Sequence, residues 1–175
     1  MSRNKKHSKL EYFQRNAAGE YIYTGKHMSY VSTEKSRKRL LLELWGLGTA
    51  GMICLLVGGF LPLRSFRGCF YVLLPYMIAL VAAISCLWTI GELTGGGEPL
   101  RQYVHDATVL KLPGRAMIAA VAAGLCILGQ AIYCILHGGG AVGALIAFFL
   151  LEGVGAAAML LLFRCIRSAS WKLEG

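Results

Sequence analysis

The sequence predicts an all-α integral membrane protein: a four-helix transmembrane bundle with one short amphipathic inner helix. Three observations lead there. Four apolar runs, 40–63, 70–93, 116–136 and 141–163, each match the roughly 20 helical residues needed to cross a ~30 Å hydrocarbon core. Charged residues make up only 15% of the chain, against about 25% in soluble domains. The charge that exists is segregated, with ten of the eighteen Lys and Arg preceding Leu40.

The net charge of +9 therefore belongs mostly to a tail. Beside a bilayer such a tail meets anionic headgroups, each basic residue contributing roughly 1 kcal/mol near the surface. Nucleic acid is not the expected partner.

Residues 1–39 form this basic cytoplasmic tail. It reads as a disordered segment, with a weak hairpin signal over 10–24 as the alternative. There Tyr21 and Tyr23 alternate with Ile22, and the turn-like cluster Asn16, Ala17, Ala18 and Gly19 precedes them. The tail is too long for the leader of a secretory signal, and no small-residue cleavage pattern follows the first apolar run.

The first span, 40–63, has Glu43 one turn inside its basic boundary and Trp45 placed for the interface. Its five glycines suit a membrane helix, where they admit close neighbours, and Pro62 ends it. A polar connector holding Arg64 and Arg67 leads to the second span, 70–93, which opens on Phe70 and Tyr71 and carries Pro75 near its start. The inner loop 94–115 begins with Gly95, Gly96 and Gly97. From Leu100 it shows helical spacing of Leu100, Tyr103, Val104 and Ala107, the pattern of an amphipathic helix lying on the membrane or on the bundle. His105 and Asp106 read as a solvated surface pair, since no further ligand follows at metal spacing. The third span, 116–136, is rich in Ala and Gly, with Gln130 as its strongly polar side chain. The linker 137–140 allows only a tight helical hairpin into the fourth span, 141–163, and the chain closes on a short basic segment, 164–175.

Orientation follows from basic residues. With a cytoplasmic N-terminus, sixteen Lys and Arg lie inside and only Arg64 and Arg67 outside. This positive-inside bias places both termini in the cytoplasm of a cell-membrane protein.

Glu152 is the costly residue, eleven positions from either end of its run. Insertion scales charge about 2.5–3.5 kcal/mol for an ionised acid at a helix centre. Ala141, Ala144, Gly155 and Ala156 share its helical face, so it is expected to point into a helix contact. At 1.5 Å per residue it lies about 17 Å from the outer boundary, with Gln130 near ~9 Å and Thr49 and Ser85 near ~21 and ~22 Å. Glu152, Gln130, Ser85 and Thr49 are thus the candidate intramembrane polar site. Three readings of Glu152 stay open: a protonated, hydrogen-bonded carboxyl, a contact with a basic residue of another subunit, or a hydrated path for protons or cations.

The six cysteines include no C-x-x-C pair and read as small buried hydrophobes. Cys69 and Cys134 both fall near the outer face, which leaves a disulfide between them open. The hydrolase, metalloprotease and phosphate-loop motifs are absent from the sequence, and no two histidines sit inside the spans for a haem. No catalytic residue, metal or cofactor is expected. The leading function is a non-enzymatic accessory or assembly subunit acting through transmembrane helix contacts with its own copies or a membrane-protein partner. The alternative is an oligomeric small transporter or channel subunit using Glu152. An enzyme acting on lipid, with Glu92, His105 and Asp106 converging at the inner interface, ranks third.

Overall fold

The computed structural model describes residues 13–15, 21–23, 26–31, 36–138 and 141–174. Four helices, each long and apolar enough to span a membrane, pack together: α1 (Arg37–Gly59), α2 (Phe70–Gly95), α4 (Leu112–His137) and α5 (Val142–Arg167). Between α2 and α4 lies the seven-residue α3 (Gln102–Thr108), and a 3-10 turn, Arg64–Arg67, links α1 to α2. The long helices close a ring in which α1 and α4 each pack on both α2 and α5.

Helix ends depart from the apolar windows because caps, not hydropathy, set them. α1 starts at Arg37, where the Ser36 hydroxyl accepts the Arg39 amide. The Arg37 guanidinium donates to the Leu93 carbonyl near the end of α2 at 3.3 Å, the favoured place for a cation. α1 stops at Gly59, so 60–63 leave the first span, and Leu63 turns inward and is buried. α4 begins at Leu112, with Pro113 in its first turn, where a missing amide costs nothing. It ends at Gly138 with φ +75°, a backbone suited to glycine.

The fold is predominantly helical, as expected, with one small addition. A three-stranded antiparallel sheet caps one end of the bundle, in the order β4 (Leu100–Arg101), β3 (His27–Tyr30), β5 (Trp171–Glu174). Its strands come from the tail, the inner loop and the C-terminal segment, so these three segments meet at this end of the bundle. Leu100 and Arg101 are strand, not helix, and the amphipathic helix shortens to α3. The packing also overturns the solvated reading of His105, which is buried with its ring 5.6 Å from that of Trp171, itself 5.4 Å from Tyr30. A second pairing joins β1 (Phe13–Arg15) to β2 (Tyr21–Tyr23) antiparallel, within the segment that carries the weak hairpin signal. The rest of 10–24 lies outside the described residues.

The core divides into three layers along the bundle. At the sheet end Leu40, Leu44, Ile90, Leu93, Leu112 and Ile166 bury against one another. The middle layer is alanine-rich, with Ala79, Ala83, Ala119 and Ala123 around Leu55 and Met159, so the helices approach closely there. At the connector end Val72, Tyr76, Cys126 and Phe148 pack with Leu63. The outward faces are apolar too: Ile53, Val81, Leu128 and Leu150 are all more than half exposed. Continuous exposed apolar surface of this kind is foreign to soluble monomers.

Candidate functional site

Glu152 lies on α5 between the middle and connector layers and is fully buried. It faces α1 at Gly58, where an added Cβ would stand 3.2 Å from Oε1 and 3.9 Å from Phe148. A glycine here gives the carboxyl its space. Tyr76 and Cys126 are within electrostatic reach of it, yet both direct their protons elsewhere. The Tyr76 hydroxyl donates to the Leu55 carbonyl at 3.0 Å, and the Cys126 thiol points at the Val72 carbonyl, 3.6 Å away. Among the described residues, neither carboxyl oxygen of Glu152 has a hydrogen-bond partner.

The other three candidates lie apart from it. Gln130, on α4, is 1% exposed and accepts the buried Ser65 hydroxyl on Oε1 at 2.5 Å, while its amide nitrogen lies 3.6 Å from the Cys134 sulfur. Ser85 contributes its backbone: the carbonyl accepts Arg115 at 3.0 Å and the Thr89 hydroxyl at 2.7 Å. Thr49 returns its hydroxyl to its own helix, to the Trp45 and Gly46 carbonyls. The fold therefore does not assemble these four into one site.

Glu152 has no exposed surface inside its own bundle, so a basic residue of another subunit would reach it only through an opening of that bundle. Glu92, His105 and Asp106 do not form one cluster either: Glu92 accepts the Trp88 indole N–H at 3.1 Å, and His105 lies 3.3 Å from Asp106. No group of three His, Cys, Asp or Glu side chains fit to hold a metal occurs among the described residues. Cys69 and Cys134 are both free thiols.

Two features escape a sequence reading. Arg115 follows Pro113 and Gly114 and looks like a loop residue. Because α4 starts at Leu112, its guanidinium reaches across to α2 and bonds both Ser85 and Thr89; a proline in a first turn was the available signal. The second is a cleft of about 510 Å³ at the connector end, walled by Leu63, Arg64, Gln130, Tyr133, His137 and Leu145 among others. It lies close to Glu152 in register. On α4, Gln130 is one turn from Cys126, and on α5 Phe148 fills the interval between Leu145 and Glu152. Phe66 stacks edge-on against both Phe148 (5.7 Å) and Tyr76 (5.1 Å). These three rings belong to the connector-end core layer, with Phe148 one helical turn from Glu152.

No protein family's sequence pattern, curated relative or solved structure matches this chain.

Proposed function

We propose that the protein is a non-enzymatic, multi-pass protein of the cell membrane, an accessory or assembly subunit acting through helix contacts, with both termini cytoplasmic. The sheet supports the shared side of the termini, since it holds tail, loop and C-terminal strands at one end of the bundle. The basic residues support its being the cytoplasmic side, because Arg64 and Arg67 stand alone at the other end. Reporter fusions at Met1 and Gly175 test this: both active only in the cytoplasm is the expected result, and activity of either one outside overturns the topology.

The observation that carries the accessory reading is the outward face formed by α1 and α5. Gly46 and Leu161 line one lateral groove of about 610 Å³. Nothing lies within 4 Å of a Cβ added at Gly46, and Ala50 and Ala157, one turn further along each helix, are exposed. Small outward residues on neighbouring helices let another helix approach closely, the usual basis of association in lipid. Gly46→Leu and Ala157→Leu are expected to release the copy or partner that co-purifies in mild detergent, read by native mass spectrometry. A wild-type chain that purifies only as a monomer sinks the reading, as does an unchanged complex in both variants.

A second reading, an oligomeric transporter or channel subunit with Glu152 on a proton or cation path, is favoured by one feature. Glu152 is a fully buried carboxyl whose oxygens have no hydrogen-bond partner among the described residues. Proteoliposome flux in Glu152→Gln tests this reading: loss of pH-driven flux is the expected result.

A further inference from the structure

We propose that the connector-end cleft binds the phosphate of an anionic membrane lipid. The inference rests on the membrane reading above and on nothing assumed about Glu152. Charge is the first argument. Arg64 and His137 line the cleft, Arg67 follows on the same turn, and Arg64 has no ion-pair partner among the described residues. No acidic residue occurs from Gly59 to Gly91 or from Ala107 to Leu151, the stretches that build this end of the bundle. An anion entering here meets no acid short of buried Glu152.

Hydrogen bonding is the second argument. The Ser65 hydroxyl occupies Gln130 Oε1, and one amide hydrogen is directed at the Cys134 sulfur, which leaves the second amide hydrogen for the cleft. The phenol of Tyr133, its ring stacked on His137 at 4.7 Å and 14°, adds a second neutral donor. The walls therefore supply donors and positive charge together, as phosphate recognition requires. Position and shape are the third. The cleft opens where α1 and α4 end, the level of lipid headgroups in a bundle of this length. Leu63 and Leu145 supply the apolar wall that a glycerol backbone and first acyl carbons would contact.

The test is native mass spectrometry of the full-length protein, titrated with phosphatidylglycerol and with phosphatidylcholine of the same chains, and with inorganic phosphate as competitor. One phosphatidylglycerol should survive activation that strips phosphatidylcholine. Arg64→Gln combined with His137→Gln should weaken it about five- to tenfold, while Lys38→Gln with Arg39→Gln, at the other end, should not. Arg64→Lys, which keeps the charge, guards against misfolding and should hold the lipid better than Arg64→Gln. Equal retention in the Arg64→Gln/His137→Gln variant, equal retention of phosphatidylcholine, or full displacement by millimolar inorganic phosphate would each overturn the lipid site. Reporters that still place both termini in the cytoplasm would show that the topology had survived that failure.

Discussion

Glu152→Met is expected to stabilise the folded bundle, by roughly 1–3 kcal/mol in detergent. This is the usual cost of a buried polar group left without a hydrogen bond. The carboxyl is fully buried and both oxygens lack partners, so an apolar chain of similar length removes a penalty and breaks no bond. Methionine is flexible enough to occupy the space beside Gly58 without displacing Phe148. Glu152→Gln should bring no such gain, because the carboxamide needs partners that Tyr76 and Cys126 have already given to backbone carbonyls. A lower thermal midpoint for Glu152→Met than for the wild type would mean that the carboxyl has a stabilising partner in the folded state.

The same variants separate the two functional readings. Under the transport reading, pH-driven flux in proteoliposomes disappears in both Glu152→Gln and Glu152→Met, and the stabilised protein is the inactive one. A residue kept at a cost in stability is a common mark of function. Under the accessory reading, both variants keep the complex that Ala157→Leu disrupts. Full flux in Glu152→Gln would remove the residue from any pathway.

Gly129→Ala is expected to destabilise by about 1–3 kcal/mol, as overpacking of a well-filled core does. A Cβ at Gly129 would stand 2.8 Å from the Tyr71 carbonyl oxygen and 3.5 Å from its carbon. Both are backbone atoms of α2 and cannot swing aside. The close approach has a local cause in α2: Pro75 has no N–H to bond the carbonyl four residues back, which is that of Tyr71. Gly124→Ala is the internal control, on the same helix with nothing within 4 Å of the added Cβ. It should be neutral or gain up to ~1 kcal/mol from helix propensity. Equal thermal midpoints for the two variants would refute the tight contact between α2 and α4.

Much of the architecture was legible because hydrophobic length is a local property. An apolar run of more than 20 residues predicts a spanning helix without knowledge of its neighbours, and most of each run lies in one of four long, apolar helices that pack together. Their ends were less legible. Arg37, Leu112 and Arg167 lie outside the apolar windows, and their helices extend to them through capping and turn contacts. The small sheet was illegible: β4 has two residues, β3 and β5 have four each, and they pair across most of the chain's length. No periodicity can develop in segments so short.

The candidate site divides in the same way. The sequence alone determined that Glu152 is the lone acid of its apolar run and that Gly155 and Ala156 share its face. Burial of that face follows from helical spacing. Tertiary structure decided what surrounds the carboxyl, because partners depend on helix rotation and neighbour order. It brought Gly58 against Glu152, sent Gln130 to Ser65, tied Arg115 to α2 through the Ser85 carbonyl and the Thr89 hydroxyl, and returned Thr49 to its own helix. Depth along a helix can be counted from residue numbers at 1.5 Å each. The azimuth at which two helices meet is set by side-chain packing over their whole length, and that sum is not visible in any one stretch of the chain.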